Sequence, residues 1–363
     1  MNQSYNYLKW DYINNMSEKN SLNKPKLRCF NHPWHLGNQH EIMKTPNIEW
    51  DWLINTRRRY SEMPRGDMIS KYGIKWVTHY EPGKYDFALL HFDQQCLDDK
   101  LWFRGKGSML RELSEVVQDI PKIVICHGTP YWPERFPAYN EFDEPCDGIS
   151  QELIRRAKEA TRGCYVIMNS KRAAEQWGFG TPIWHGMDEE EWFDLPKEPR
   201  VITMISPAGL PKYYDRDFLQ GIREALQEEG IDHCHITVDW SAKNLNDYRD
   251  FLGRSLIYIN PTKESPMPRS RTEAMLSGCC VLTTPHQDAD QFMEDGKNGF
   301  IIKERNPYAV VEMVKERLAN YKETIAIGQR GKDTARRLFN TERFTTEWRN
   351  FVDNAIKDFN NKK

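Results

Sequence analysis

The segment from residue 264 to residue 304 constrains the fold most, because its predicted structure changes type several times in a short stretch. Prolines within 265–268 cannot continue a helix, since proline fixes φ and lacks an amide donor. Helical character follows through 270–276, and Gly278 supplies a stop before the apolar run 279–282. The pattern predicts a loop, a helix, a buried strand, a polar loop and a second short strand.

The start of this predicted helix suits a diphosphate. A helix start next to a loop presents free backbone N–H groups and the positive end of the helix dipole. Arg269 and Arg271 add positive charge, and Glu273 is placed to accept hydrogen bonds from sugar hydroxyls. We therefore expect a ligand that carries both a diphosphate and a sugar.

The run TEAMLSGCCVLTT followed by EDGKNGFII resembles the donor-binding signature of GT-B glycosyltransferases. It is closest to the retaining Glu-x7-Glu group, also described as family 4-like or glycosyl transferases group 1. The matching positions are Glu273, Gly278, Asp295, Gly296, Asn298 and Gly299. The resemblance implies that Glu273 contacts the nucleotide ribose. It also implies a donor-binding set of Arg269, Ser270, Arg271, Thr272 and Glu273.

One position departs from that signature. The first glutamate of the family motif contacts the transferred sugar, and its place eight residues before Glu273 is taken by Ser265. Glu264 lies one residue earlier and is our candidate catalytic carboxylate, either substituting through a changed loop or having no such role. Nucleotide binding is therefore implied more directly than catalysis.

Apolar runs alternate with helical segments along the chain, which predicts a doubly wound α/β protein. We predict strands at 27–31, 76–79, 87–91, 122–126, 165–169, 201–205, 235–239 and 256–260, and helices at 149–160 and 217–228. The resemblance implies a GT-B architecture, with two Rossmann-like domains facing a central cleft. The expected divisions are a polar leader over 1–25, an acceptor domain over 26–185, a donor domain over 186–340 and a crossover helix over 341–363.

Two features support a connection between the halves. Residues 183–188, Ile-Trp-His-Gly-Met-Asp, resemble the hinge of the same enzyme group. The stretch 342–359 looks helical and amphipathic, with one apolar stripe. This stripe consists of Phe344, Trp348, Phe351, Val352 and Ile356. In GT-B proteins the terminal helix crosses back to the first domain.

The loop after the first strand of the second domain should supply positive charge to the departing diphosphate. The family usually has an Arg and a Lys a few residues apart here, whereas this chain has Lys212 and Arg216 in reversed order. We predict a catalytic role for Lys212. Arg216 either contacts the donor or is a solvated loop charge.

Strand ends supply the remaining candidates, because ligands of open α/β sheets bind at the carboxyl ends of strands. His91 and His127 close two apolar runs. His127 lies in a His-Gly turn similar to those on the acceptor side of these enzymes, and it is a catalytic candidate. His286 and Gly37 are candidates for donor contact. A structural capping role is the alternative for His91 and His127.

Composition limits the class of protein. The formal net charge is −2, which argues against general nucleic-acid binding, although modification of DNA bases stays open. The 8 cysteines show no CxxC pair, which indicates free thiols in a reducing compartment. We see no secretory signal and no apolar run near the roughly 18 residues of a membrane span. A cytoplasmic protein is expected.

Two further patterns in the sequence could form a metal site or a membrane-contact site. The Asp-x-Asp triplets 215–217 and 288–290 could hold a divalent cation, but both lie in segments that the GT-B pattern already explains. No metal or other cofactor is therefore expected. Arg57, Arg58 and Arg59 could contact an anionic membrane surface, with solubility as the plainer interpretation.

The sequence thus predicts a glycosyltransferase that moves a sugar from a nucleotide-sugar donor to a hydroxyl acceptor. The acceptor is a glycan, a lipid-linked molecule or a small molecule, and transfer is expected to be retaining and metal-independent. A nucleotide-sugar epimerase and a non-catalytic nucleotide- or sugar-binding relative are the alternatives.

Overall fold

The protein is described by a computed structural model covering residues 24–54, 71–97, 106–131, 148–204, 215–236, 244–265 and 267–363. In these ranges the strands form two sheets, and all ladder pairings between the named strands are parallel. Parallel strands require crossover connections, so helices lie between them along the chain.

The first sheet has seven strands in the order β3-β2-β1-β4-β5-β6-β7. They are β1 Leu27–Asn31, β2 Ile48–Leu53, β3 Lys75–Val77, β4 Phe87–Phe92, β5 Lys122–Cys126, β6 Tyr165–Met168 and β7 Thr181–Pro182. Asn31 pairs with Leu89 of β4, and Cys126 pairs with both Phe92 and Met168. This register brings the carboxyl ends of β1, β4, β5 and β6 to one edge.

Helices cover both faces of the first sheet. They are α1 Leu36–Ile42, α2 Lys106–Val116, α3 Gln151–Ala160 and α4 Lys171–Trp177. One face packs Phe30, Phe92 and Trp177 into a core, and the other face buries Trp50, Trp52 and Phe87. Several of the tryptophans thus serve as packing residues.

The second sheet has five strands in the order β12-β11-β10-β8-β9. They are β8 Glu198–Met204, β9 His233–Ile236, β10 Ser255–Asn260, β11 Cys280–Thr283 and β12 Phe300–Ile301. Its helices are α5 Arg216–Glu228, α6 Leu245–Arg254, α7 Arg269–Leu276, α8 Ala289–Phe292, α9 Pro307–Ala319 and α10 Tyr321–Leu338. Helix α7 and strand β11 are the helix and buried strand predicted from the 264–304 segment.

The terminal helix α11 Thr341–Asn361 returns to the first sheet. Phe344, Trp348 and Val352 of its apolar stripe join the core that contains Trp50 and Phe87. Lys24, near the end of the predicted leader, forms an ion pair of 2.8 Å with Asp353 of the same helix. The crossover predicted from the stripe is therefore present.

The connection between the sheets is braced where α10 ends and α11 begins. Arg343 donates hydrogen bonds to the carbonyl oxygens of Trp184 and His185, at 2.9 and 3.0 Å. Met187 N–H donates to the carbonyl of Phe339 at 2.7 Å. A Cβ on Gly186 would lie 2.5 Å from Phe344 Cβ, so only glycine fits at this crossing.

Some boundaries differ from the prediction. Strand β8 begins at Glu198, before the expected 201, and β9 begins at His233, while 237–239 of the predicted strand lie outside the described residues. Strand β2 was not predicted, and neither were helices α9 and α10. Each of the seven described cysteines is a free thiol, as expected. Among the described helices, none is both long and apolar enough to span a membrane.

Candidate functional site in the cleft

Glu273 lies at the centre of the candidate site, in the middle of α7. Its side chain is buried, and one carboxylate oxygen accepts a hydrogen bond of 2.8 Å from the hydroxyl of Tyr248 on α6. Burial and the Glu273 charge raise the pKa of Tyr248 well above its usual value, so Tyr248 stays a donor. The second oxygen of Glu273 lies 3.8 Å from Arg269 Nε. Glu273 is thus held in one orientation.

Arg269 joins the two halves of the protein at the first residue of α7. Its Nη2 lies 3.2 Å from a carboxylate oxygen of Glu41 on α1. A Cβ on Gly37 would lie 2.9 Å from Arg269 Nε, so the missing side chain makes room for this guanidinium. The structure therefore brings Glu273 and Gly37 close to Arg269, and the donor-binding roles of the three residues stay predictions.

The other three polar residues of this helix turn are engaged by neighbouring protein groups. Ser270 Oγ accepts a hydrogen bond from the Tyr258 hydroxyl at 2.8 Å, and Thr272 Oγ1 lies 3.0 Å from His185 Nε2. Arg271 is fully buried and donates to the carbonyls of His286 and Gln287, and burial lowers its pKa to about 10. In this structure Arg271 stabilises the 286–287 loop instead of facing a ligand.

An ion-pair cluster extends from Arg269 towards the hinge. Lys44 lies 2.9 Å from an oxygen of Glu41 and 2.9 Å from an oxygen of Glu191. His40, Glu41 and Glu191 are close enough together to hold a metal ion. Burial alone would raise the pKa of Glu191, but the hydrogen bonds and charges of His40 and Lys44 bring it below its usual value. Because the Lys44 ammonium already contacts both carboxylates, this cluster is explained without a metal.

Glu264 follows β10 and faces the first domain. Its carboxyl group is hydrogen-bonded to Tyr131 and Gln176, and its backbone carbonyl accepts from Thr129 Oγ1 at 3.2 Å. Burial raises the pKa of Glu264 to about 6, although both hydrogen bonds act in the opposite direction. A carboxyl group with such a pKa can gain or release a proton near neutral pH.

We expect the Glu264→Gln substitution to stabilise the protein at neutral pH. Folding raises the pKa of Glu264 from 4.5 to about 6, so the folded state carries a penalty for ionising it. This penalty is absent below about pH 4.5, grows as the pH rises through 6, and reaches about 2 kcal/mol above pH 7. Urea unfolding at about pH 4 and pH 8 measures it, with exposed Glu304→Gln as control. Equal stabilisation at both pH values would contradict this assignment.

Histidines occupy the facing wall, at the carboxyl edge of the first sheet. His91, at the end of β4, lies with Nδ1 2.9 Å from Nε2 of His127, which follows β5. The His127 ring also contacts the His35 ring, with centroids 4.4 Å apart. Burial lowers the pKa of His91 well below its usual value, and the charges of His32 and His35 act in the same direction. His91 is therefore a neutral ring behind the partly exposed His127.

His286 lies deeper in the second domain. Its Nε2 is 2.6 Å from Thr262 Oγ1 and its Nδ1 is 2.6 Å from Thr284 Oγ1, and the ring is buried. Burial and the neighbouring Arg271 charge lower the pKa of His286 well below its usual value. Both ring nitrogens are therefore used to order the loop after β11, and donor contact by His286 stays a prediction.

The loop after β11 also closes the cleft at its far side. Asp288 accepts hydrogen bonds from the backbone N–H groups of Lys171 and Arg172, at 2.6 and 2.9 Å, and from Trp184 Nε1 at 2.7 Å. Ser170 donates to the Gln287 side chain at 2.8 Å. The Asp288 carboxylate thus fastens the second domain to the start of α4 in the first.

The structure describes one of the three remaining predicted features. Lys212 and the run Arg57–Arg59 lie outside the described residues, so their roles stay predictions. Arg216 is exposed at the first residue of α5. Neighbouring Asp215 is the first aspartate of the Asp-x-Asp triplet 215–217. Its carboxylate forms an ion pair of 2.6 Å with Arg305.

Several site residues were not predicted from the sequence. Tyr248 and Glu41 touch the predicted residues Glu273 and Arg269 only through tertiary packing, and no local pattern marks them. Asn31 ends an apolar strand and Asn169 follows one, so the strand-end rule that selected His91 could have found both.

Comparison with known proteins finds likenesses to part of the chain. Residues 216–320 match the family model described as glycosyl transferases group 1. A curated relative, an uncharacterized glycosyltransferase of Methanocaldococcus jannaschii, is 23% identical over 177 residues. The match covers 48% of this chain and 43% of that protein, so it spans less than half of the relative's length.

Solved structures match both sheets. HepE of Anabaena, solved in complex with UDP-glucose, has a TM-score of 0.61 at 12% identity, covering 90% of this chain and 100% of that one. A Rickettsia africae glycosyltransferase has a TM-score of 0.60 at 12% identity, covering 92% and 99%. Sucrose-phosphate synthase of Thermosynechococcus elongatus has a TM-score of 0.59 at 11% identity, covering 92% and 100%. These likenesses confirm the GT-B architecture predicted from the sequence.

Proposed function

We propose that this protein is a glycosyltransferase that uses a nucleotide-sugar donor. The proposal is based on the GT-B fold and on the segment of the second domain that matches glycosyl transferases group 1. The observation that carries the proposal is the meeting of Glu273 and Arg269 of α7 with Gly37 of the first domain. In this proposal Glu273 would accept from sugar hydroxyls and the adjacent Arg269 would contact the phosphates.

The donor is proposed to bind at the start of α7. Glu273 would accept from the ribose hydroxyls, because Tyr248 holds one of its oxygens and leaves the carboxylate oriented. Arg269 and the first-turn N–H groups would contact the diphosphate. Arg269 would then exchange the carboxylate of Glu41 for phosphate oxygens. HepE was solved with UDP-glucose, which makes a UDP-sugar the first donor to test.

Transfer is proposed to join an acceptor hydroxyl oxygen to the anomeric carbon as the bond from that carbon to the diphosphate breaks. The hydroxyl proton leaves to a phosphate oxygen or to Glu264, and the diphosphate leaves with the bonding electrons. Arg269 and Lys212 would neutralise the developing charge, so no metal is invoked. Retention of configuration is part of this proposal, supported by the resemblance to the retaining group.

Closure of the cleft is proposed to protect the donor from water. The hinge at Gly186 and the contact of Asp288 with α4 hold the two halves together on opposite sides of the site. Excluding water strengthens electrostatic contacts and limits wasteful donor hydrolysis.

Calorimetric titration with UDP and UDP-glucose, then with GDP, ADP and CMP conjugates, tests the donor site. We expect one nucleotide to bind without added divalent metal, and at least tenfold more weakly to Glu273→Ala, a loss of about 1.4 kcal/mol or more. Glu304→Ala, at an exposed position of the same domain, is the matched control.

Transfer of the sugar from the bound donor to a mixture of acceptors then distinguishes a transferase from a binding protein. Equal nucleotide affinity of the wild type and Glu273→Ala would contradict the proposed donor site. Binding without any transfer would reject the enzymatic proposal and keep nucleotide-sugar binding.

A further inference from the structure

The two carboxylate oxygens of Glu273 have different surroundings. Oε2 accepts the hydrogen bond of 2.8 Å from the Tyr248 hydroxyl. Oε1 accepts no hydrogen bond within the described residues, yet it is not among the oxygens there that are fully buried without a partner. The Glu273 side chain as a whole is 10% exposed. Oε1 is therefore the oxygen that is open to a ligand, whereas Oε2 is already bonded.

Tyr248 is held in place by its packing. It is buried in α6, and its ring packs edge-on against Trp192, with ring centroids 6.0 Å apart. Arg249, the next residue of the helix, pairs with Glu191 of the hinge at 3.2 Å. A ligand hydroxyl that replaced Tyr248 on Oε2 would leave a buried tyrosine hydroxyl without its acceptor, which costs free energy. Tyr248 therefore keeps Oε2 when a ligand arrives.

The open oxygen lies on the side of the proposed phosphate contact. Oε1 is the carboxylate oxygen next to Arg269, 3.8 Å from its Nε. In the proposed donor complex Arg269 contacts the diphosphate, which is attached to the 5′ oxygen of the pentose. The 3′-hydroxyl lies one carbon nearer to that attachment than the 2′-hydroxyl does. The 3′-hydroxyl is thus the one that meets Oε1, and the 2′-hydroxyl lies towards the oxygen that Tyr248 occupies.

We propose that Tyr248 is a positioning residue that sets the donor specificity, because it takes one oxygen of Glu273 and leaves the other to bind only the 3′-hydroxyl of the pentose. The site then accepts nucleotide sugars that contain 2′-deoxyribose as well as those that contain ribose. This inference rests on the proposed glycosyltransferase function and names the class of donor for the same site. Glu273 touches the donor, and Tyr248 acts through it.

A contact with both hydroxyls makes a different prediction. A carboxylate with two free oxygens can accept from the 2′- and 3′-hydroxyls together, so the loss of either hydroxyl would weaken binding. With one oxygen available, loss of the 3′-hydroxyl leaves Oε1 unpaired in the closed site. Loss of the 2′-hydroxyl leaves the carboxylate with both of its partners. Sites built to bond a hydroxyl reject the analogue that lacks it, so the two deoxy forms should differ.

The first experiment is calorimetric titration of the full-length chain with UDP, 2′-deoxy-UDP and 3′-deoxy-UDP. We expect 2′-deoxy-UDP to bind within about threefold of UDP. We expect 3′-deoxy-UDP to bind at least about tenfold more weakly, as the loss of a hydrogen bond to a charged group implies. If the donor titration selects another base, the same three forms of that nucleoside diphosphate are used.

Tyr248→Phe supplies the second test, because it removes the hydroxyl and keeps the ring. Oε2 is then free for the 2′-hydroxyl, and 2′-deoxy-UDP should bind this variant at least about fivefold more weakly than UDP does. A purely structural role for Tyr248 would change both affinities by the same factor. Tyr321→Phe removes a hydroxyl that donates to the Lys197 carbonyl elsewhere in the second domain. This matched control should keep the wild-type ratio of the two affinities.

Three results would overturn the proposal while leaving the donor site in place. They are equal weakening by the loss of either hydroxyl, tight binding of 3′-deoxy-UDP, and an unchanged ratio of UDP to 2′-deoxy-UDP affinity in Tyr248→Phe. Each of them leaves UDP binding that depends on Glu273 intact. A chain that binds none of these nucleotides would instead overturn the proposed function, and this inference with it.

Discussion

Asp288→Ala is expected to lower the free energy of unfolding by about 3–5 kcal/mol, because the substitution leaves three buried or half-buried N–H donors without their charged acceptor. Those donors are the N–H groups of Lys171 and Arg172 and the indole of Trp184, all in the first domain. Since these bonds join the two halves, the variant should also open the cleft. Urea unfolding measures the stability, and small-angle X-ray scattering measures the change in radius of gyration.

Asp290→Ala is the matched control for that experiment. Asp290 lies two residues further along, in α8, and pairs with Arg172 at 3.3 Å, but both side chains are more than 40% exposed. Exposed ion pairs contribute at most about 1 kcal/mol, so this variant should behave almost as the wild type. If the two aspartate variants lost equal stability, the contact of Asp288 with α4 would not be what holds the domains together.

Gly186→Ala should be the second most damaging substitution. Its added Cβ would lie 2.5 Å from Phe344 Cβ and 2.8 Å from Phe344 Cγ, atoms that cannot swing away as a side-chain tip can. Relief requires the start of α11 to move away from the hinge, which we expect to cost about 2–3 kcal/mol. Thermal unfolding gives the loss, and donor affinity should fall with it because the hinge sets the cleft.

Glu190→Ala tests whether the effect of Gly186→Ala comes from the crossing itself. Glu190 is exposed in the same connection between the sheets, so removing its side chain leaves the hinge packing unchanged. We expect a change within about 0.5 kcal/mol. An unaltered melting temperature for Gly186→Ala would show that α11 does not brace the hinge.

Much of the fold was predictable because it follows local patterns. Strands β1 and β5 have the predicted bounds, since each is a short apolar run with polar or turn residues on both sides. The run at β2 reads Ile-Glu-Trp-Asp-Trp-Leu and was missed, because acidic residues interrupt its apolar pattern. Asp51 is nevertheless fully buried, and Arg28 of β1 pairs with it at 2.8 Å. That partner is 23 residues away, beyond the reach of a local pattern.

The candidate site was predictable in part. Glu273, Arg269 and Gly37 could be selected from a motif and from loop positions. Arg271 has the same charge as Arg269 and lies two residues further along, yet α7 turns it into the interior, where it holds the 286–287 loop. A sequence motif shows which residue types are present, whereas the direction of each side chain depends on how the helix packs.

The sequence by itself determined the fold class, the parallel strands, the helix and strand that follow Pro268, and the terminal helix, because periodicity, prolines and glycines act over short distances. Only the tertiary structure decided which residues meet. It joined Glu41 to Arg269, Asp288 to the start of α4, and Asn31 to Gln39, His91 and His127. These contacts depend on the distance and orientation of side chains from separate elements, which are set when the sheets and helices pack together.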